Sequence, residues 1–330
     1  MKMCTLGRGG PVVSRVGLGL MGMSGIYGPA DDAESVATIH AALEAGITLL
    51  DTADFYGMGH NELLVREALT GRRRENVFIQ VKFGSQRDPA GAFLGLDARP
   101  AAVKTWLAYT LGRLGTDYVD LYQPARLDPD VPIEDTVGAI AELIQAGYVR
   151  HVGLSEMGAQ TIRRAHAVHP ITALQIEYSL MSRGIEAAIL PAVRELGIGI
   201  TAYGVLSRGL LDISTARSLD EAGPRSRFPR FQGENLARNR ALAVGLDKIA
   251  QQMGATAAQV ALAWVLSRGT DIIPLIGAKR EQRLRESLGA LDLELSEADL
   301  ARIEAAVPAD LVAGSRYDAA QMMALDSEHK

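Results

Sequence analysis

Cysteine is almost absent from this chain. Cys4 is the only one in 330 residues, so no intrachain disulfide can form and a reducing compartment suits it. No apolar run approaches the ~18 residues of a membrane-spanning helix. The first residues carry Arg8 and Arg15 among glycines, without the uninterrupted apolar stretch of a secretory signal. A basic excess is missing too: 34 Lys and Arg stand against 39 Asp and Glu, for a net charge of −5. That balance does not attract polyanions, and the run Arg72-Arg73-Arg74 reads as a solvated connection rather than a nucleic-acid patch. His166 and His169 close a helical segment, where cations suit the dipole. No Cys, Asp or Glu at ligand spacing joins them, so no metal is expected. These absences lead us to expect a cytoplasmic protein with a small-molecule partner, no nucleic acid and no membrane.

What is present is 48% hydrophobic and 22% charged residues, ample for a large core. Short β-rich runs alternate with amphipathic segments from end to end. The candidate strands are 15–21, 48–53, 77–83, 118–123, 151–155, 173–177, 199–203 and 271–276. Between the first two, Val36, Ile39 and Leu43 recur at helical spacing behind a capping-box pair, Asp31 and Glu34. Thr256 and Gln259 repeat that signal ahead of Val260, Ala263 and Trp264. Alternation alone also allows an open doubly wound sheet. Eight strands with interposed helices favour a (β/α)8 TIM barrel. No linker or composition break divides residues 1–330, which read as a single domain. Residues up to Val13 are expected to form an N-terminal hairpin across one end. Two long loops, 85–99 and 207–235, fall at the C-terminal face, where barrel enzymes keep their sites.

Gly17-Leu-Gly19-Leu-Met-Gly22 fits the dinucleotide fingerprint G-x-G-x-x-G. That fingerprint needs a helix opening at the glycines, and Met23-Ser-Gly-Ile-Tyr-Gly-Pro29 cannot start one. The glycines read instead as a tight turn at the barrel mouth. A stronger signal is Asp51-Thr-Ala-Asp-Phe-Tyr56-Gly57 followed by Lys82 near the end of the next strand. In a parallel barrel, adjacent strand ends bring Asp51 and Lys82 together. An ammonium beside a phenol lowers its pKa from ~10 and makes it a usable acid, while a carboxylate holds the ammonium. The same residues also suit a buried ion pair beside an unrelated core tyrosine.

The stretch DTADFYGMGHNELL, Asp51 to Leu64, resembles the aldo-keto reductase signature in residue type and spacing. Further matches follow in order: Val131-Pro-Ile-Glu134, Gly153-Leu-Ser155-Glu156, Gln175-Ile-Glu177-Tyr178-Ser179, Asn235 through Ala243, Pro274-Leu-Ile-Gly277 and Glu286-Ser-Leu-Gly289. The resemblance covers about residues 3 to 318. It implies a (β/α)8 barrel that uses NADPH to reduce aldehydes or ketones. By that resemblance Tyr56 is the general acid, Lys82 lowers its pKa and Asp51 supports Lys82.

One element departs from the pattern. Family enzymes read Tyr-Tyr-Gln-His-Arg-Val-Asp where this chain has Tyr122-Gln123-Pro124-Ala125-Arg126-Leu127-Asp128. Ala125 stands at the histidine position and can neither hydrogen-bond a carbonyl oxygen nor assist proton transfer. Gln123, Arg126 or a water could take the role, catalysis could run on Tyr56 alone, or activity could be lost. His60, four residues past Tyr56, is a substitute on spacing alone; His151 opens a strand at the far end and reads as structural.

The resemblance also assigns the cofactor. Gly204-Val-Leu206-Ser207-Arg208-Gly209 is similar to the pyrophosphate loop Ser-Pro-Leu-Gly-Arg-Gly, with Gly204 and Val205 departing from it. Lys279 and Arg283, beyond Gly277, match positions that hold the ribose 2′-phosphate, and fixed cations suit that dianion. Ser287 replaces an asparagine often found beside the adenine. Ser155 and Gln175 would hold the nicotinamide amide, and Tyr203 would stack under the ring. Phe228 and Phe231, in a segment running from Arg225, are placed on the pocket side. The expectation is therefore an NADP-dependent oxidoreductase, with an NADPH-binding module of little turnover as the alternative that Ala125 raises.

Overall fold

A computed structural model describes residues 1–218 and 223–329, without the side chain of Arg217. It opens with an antiparallel pair, β1 (Met3–Thr5) and β2 (Val12–Ser14). Then β3 (Gly17–Gly19), α1 (Asp32–Glu44), β4 (Leu49–Ala53), α2 (His60–Leu69) and β5 (Phe78–Phe83) follow. A small hairpin, β6 (Ser85–Arg87) and β7 (Phe93–Leu96), precedes α3 (Pro100–Leu114). The chain continues through β8 (Val119–Pro124), α4 (Ile133–Gln145), β9 (Val149–Ser155), α5 (Ala159–Val168), β10 (Ile171–Glu177), α6 (Ile189–Leu196) and β11 (Gly199–Tyr203). After α7 (Ile213–Ser218), α8 (Gly233–Gln252) and α9 (Ala257–Ser267) come β12 (Ile272–Gly277), α10 (Glu281–Leu288), α11 (Glu297–Ala306) and α12 (Ala319–Met323).

Strands β3, β4, β5, β8, β9, β10, β11 and β12 pair in parallel and close on themselves, so the expected eight-stranded barrel is formed. Each expected strand is present. The first is shorter than 15–21, because Met21–Ser24 leaves the sheet as a 3-10 turn ending in left-handed Gly25. No α-helix begins before Asp32, which disposes of the dinucleotide fingerprint. Gly17 has a packing reason instead: a Cβ there would meet Leu49 at 2.5 Å and Leu275 at 2.7 Å. Asp31 accepts from the Glu34 N–H, and Thr256 with Gln259 completes a reciprocal capping box.

Side chains alternate inward and outward along each strand, and this stacks the barrel interior in layers. The lowest layer is apolar. Leu6 and Val13 of the hairpin region plug it against Leu49, Phe78, Leu121 and Ala173, as the reading of the N-terminus expected. One pleat higher the interior turns polar, with Asp51, Gln80, Lys82, Gln123, Gln175 and Thr201 all buried. Buried polar groups need partners, and in this layer Gln80, Lys82 and Gln175 find theirs on Asp51. Among the described residues, no helix is long and apolar enough to cross a membrane.

Candidate active site

Asp51 and Lys82 meet because β4 and β5 pair in register, with Asp51 opposite Gln80 and Ala53 opposite Lys82. Lys82 Nζ donates to both Asp51 oxygens, at 2.7 and 2.9 Å. Gln80 and Gln175 donate their amide N–H groups to the same Oδ1, at 3.2 and 2.7 Å. Both charges are nearly sealed from water, at 4% and 3% exposure for Asp51 and Lys82. Such a pair persists only when its hydrogen bonds are complete.

Tyr56 reaches this pair through a strained turn. Gly57, Met58 and Gly59 all have positive φ, at 57°, 53° and 95°. Glycine accepts that backbone readily, whereas Met58 holds it at a cost of roughly 1 kcal/mol. The turn puts the Tyr56 ring with its centroid 5.0 Å from Lys82 Nζ, and Phe55 packs edge-on against it. The phenol does not follow the expected downward shift. Burial pushes its pKa well above the ordinary value and Asp51 adds to this. The main opposing charge is Arg126, not Lys82, because the ammonium faces a carboxylate that holds it by two bonds. Burial likewise lowers Lys82 itself, against the pull of Asp51.

A cavity of about 540 Å³ opens over these groups at the C-terminal ends of the strands. Of the eleven residues that the sequence nominated, ten lie on its wall: Asp51, Tyr56, Lys82, Gln175, Tyr203, Leu206, Arg208, Gly277, Lys279 and Arg283. Ser155 does not. It is fully buried and its hydroxyl has no partner.

The loop after β11 makes its turn with left-handed backbone at Ser207 (φ 47°) and Arg208 (φ 55°). Ser207 therefore adopts a glycine-like conformation at a position where the family pattern has glycine, and its hydroxyl is 3.0 Å from that of Ser179. The Arg208 guanidinium lies over the Phe228 and Tyr317 rings and 3.7 Å from Glu177. Burial works against its charge, but Glu177 and three phenols outweigh that and leave it firmly charged. Lys279 donates to the Pro29 carbonyl at 2.6 Å. Arg283 reaches Glu286, the Ser214 hydroxyl and, more distantly, Asp212.

Phe228 and Phe231 depart from expectation. Both are buried in the main core and neither is on the cavity wall. They form the bed beneath Arg208, since an aromatic pair without polar groups is better placed under a loop than over solvent. His60 turns away, toward the Ser24 hydroxyl at 3.0 Å and Asp32 at 3.1 Å. Ala125 is buried, with its N–H closing onto the Phe83 carbonyl. Gln123 is also sealed, with neither amide atom hydrogen-bonded. Of the protein groups proposed to stand in for the histidine, only Arg126 is on the cavity wall.

Sequence reading missed Tyr27 and Tyr317, which come from loops with no periodicity. Arg225, the first residue of the segment expected to close over the cofactor, is on the wall and lies over the Tyr27 ring at 4.6 Å. The C-terminal tail contributes more than a wall. Arg316 makes a two-pronged bond to Glu156, at 2.9 and 2.5 Å, and Tyr203 donates to the same carboxylate at 2.7 Å. Ser327 adds a further bond, and these partners hold Glu156 at a pKa of about 2 despite full burial. Residue separation hides this cluster from any motif, since Glu156 and Arg316 are 160 positions apart.

Comparison with known proteins agrees with this geometry. The model of the aldo/keto reductase family matches residues 15–308. A protein named probable aldo-keto reductase 1, from Glycine max, is 44% identical over 322 residues, covering 94% of this chain and 90% of its own. The glycerol dehydrogenase AKR11B4 from Gluconobacter oxydans superposes with a TM-score of 0.83 at 30% identity, over 93% of this chain and 96% of that one. A thermostable aldo-keto reductase, Tm1743, solved with the inhibitor epalrestat, superposes with a TM-score of 0.74 at 30% identity, over 93% and 100%.

Proposed function

From the premise that this chain belongs to the aldo/keto reductase family, a family of oxidoreductases, we propose that it reduces an aldehyde or ketone to an alcohol with NADPH. One observation carries the reading: a sealed Lys82–Asp51 pair stands beside the Tyr56 ring on the wall of a single large cavity. The residues present suit that cofactor. Arg208, Lys279 and Arg283 supply cations for its phosphates. At Gly277 a Cβ would find nothing within 4 Å, which leaves open space over the strand end. Ser155 keeps an unpartnered buried hydroxyl, and Tyr203 offers a ring face for the nicotinamide. When bound, the reduced nicotinamide supplies the hydride.

The protein's task is then to hold the carbonyl and give it a proton. A phenol whose pKa is raised keeps its proton at neutral pH, so Tyr56 stays loaded as the donor. As negative charge builds on the carbonyl oxygen, the proton leaves Tyr56 and a phenolate remains. Arg126 is the cation whose charge favours that phenolate, while Lys82, held by Asp51, lies 5.0 Å from the ring centroid. The cavity walls keep water from competing for the same proton. A cytoplasmic setting suits the lone Cys4.

Ala125 supports a second reading, in which the barrel holds NADPH with little turnover. The assay that separates the two is NADPH oxidation at 340 nm over a panel of aldehydes and ketones, pyridoxal included. Turnover by the unmodified protein that Tyr56→Phe abolishes supports the reductase. A silent protein that binds NADPH, with turnover arising only in Ala125→His, supports the binding module instead.

A further inference from the structure

Several cations in and around the cavity have a carboxylate partner, whereas Arg126, on the wall it shares with Tyr56 and Lys82, has none among the described residues. Lys82 is matched by Asp51 and Arg316 by Glu156. Arg208 faces Glu177, and Arg283 faces Glu286 and Asp212. Among the described residues, no carboxylate lies in salt-bridge range of the Arg126 guanidinium. Its hydrogen bond is from Nη1 to the neighbouring Ala125 carbonyl, at 2.6 Å. Guanidinium carries five N–H donors, so most of this fork is unused. The Tyr317 ring lies 6.0 Å away.

Glu156 is the acidic group whose charge bears on Arg126, but it is saturated. It accepts from Arg316, Ser327, the Tyr203 hydroxyl and the backbone N–H of Glu177. It has no capacity left to turn toward Arg126. The free fork lines the same cavity as Tyr56 and Lys82, and its charge bears on both. A planar fork of donors with an unbalanced charge fits a carboxylate in two parallel bonds.

We propose that Arg126 is a specificity-determining residue that binds the carboxylate of the substrate, so that this enzyme prefers short oxo-acids, with the acid group near the carbonyl, over neutral carbonyl compounds. The proposal rests on the reductase reading and adds the substrate class to it. It also gives Ala125 a consequence: with no imidazole at that position, the next residue supplies the cation at the site, and a cation selects for charge where an imidazole does not require it.

The test compares each acid with its own methyl ester, using the full chain, NADPH and absorbance at 340 nm. The pairs are 2-oxo-2-phenylacetate and 4-oxobutanoate with their methyl esters. The unmodified protein should favour each acid by at least tenfold in kcat/KM. Arg126→Gln should lower kcat on acid and ester alike, through the charge it takes from Tyr56, and in addition raise KM for the acid alone, which brings that ratio toward one; Arg126→Lys should restore part of both. Circular dichroism melts confirm that the variants are folded. Calorimetric titration of the NADP+ complex with benzoate supplies a readout that needs no turnover. Benzoate should bind the unmodified protein and bind Arg126→Gln at least tenfold more weakly.

An unmodified protein that favours the esters overturns the proposal. So does a loss in kcat/KM of the same size on acid and ester in Arg126→Gln, which would leave Arg126 with its charge on Tyr56 as its whole role. If neither carbonyl class is reduced while benzoate binds through Arg126, the reductase reading falls and the anion site stands. If neutral carbonyls are reduced and benzoate does not bind, the reductase reading stands and the anion site falls.

Discussion

Replacing Asp51 by asparagine isolates the charge of the buried pair without opening a cavity. In the native protein Lys82 is 3% exposed and held by two bonds to Asp51. Breaking such a pair from one side typically costs about 3–5 kcal/mol, because a charge is left buried without a partner. For a chain of 330 residues, unfolding entropy makes that a fall of roughly 4–7 °C in Tm. Lys82 can escape part of the cost by losing its proton. Burial already lowers its pKa and Asp51 opposes that shift, so the asparagine variant should lower it further. A lysine whose folded pKa lies below its unfolded value releases a proton on folding. Stability then rises with pH between the folded pKa and the unfolded value of ~10.4. The deficit of Asp51→Asn should therefore be largest near pH 6 and shrink by pH 9. Circular dichroism melts across that range, read against the unmodified protein, check it. A deficit that does not change with pH, or no deficit at all, would mean that Lys82 is solvated in the native state. The pairing argument would then be wrong.

Three other perturbations test separate parts of the structure. Asp54 is 8% exposed, without a well-formed hydrogen bond, and burial followed by Glu62 pushes its pKa up to about 8, against the weaker pull of the nearby Gly84 and Phe55 N–H groups. The folded state keeps a proton that the unfolded chain releases, so this group lowers stability as pH rises from about 4 to about 8. Asp54→Asn should gain on the native protein in thermal melts as pH rises from 5 to 8.5, by up to about 4 kcal/mol. Glu156→Gln removes the anchor of the C-terminal tail, and should cost ~2–4 kcal/mol and expose the tail to limited proteolysis near Ser315. The native tail contact is present above the ordinary glutamate range and is lost as pH falls toward about 2. Arg283→Ser should raise KM for NADPH ~10–100-fold and act at least about fivefold less on NADH, since only the former carries a 2′-phosphate.

Much of this protein follows from local order in the chain. Alternating β-rich and amphipathic runs predict the barrel because each strand–helix unit buries itself against the next, a short-range requirement that leaves a periodic trace. Asp51, Tyr56 and Lys82 were legible for the same reason. Parallel strands in register turn a spacing along the chain into adjacency at the strand ends. The loops after β11 and β12, nominated for the cofactor, also follow, since the barrel places them on one face.

Charge balance and side-chain direction did not follow. Nothing in the residues around Arg126 says that its fork is unpaired; that depends on Glu156 being saturated by a tail 160 positions away. Ser155 and Tyr203 both end barrel strands, yet only Tyr203 reaches the cavity wall. Phe228 and Phe231 face the core because the loop folds back over them. The pKa of Tyr56 rises where a nearby ammonium suggested a fall, because an ammonium already engaged by a carboxylate offers little field to a third group. Periodicity and register are properties of neighbours in the chain, so the sequence alone determined the barrel and the ends of its strands. Desolvation and pairing are properties of everything packed around a group, and only the tertiary structure decided which charges are matched and which are not.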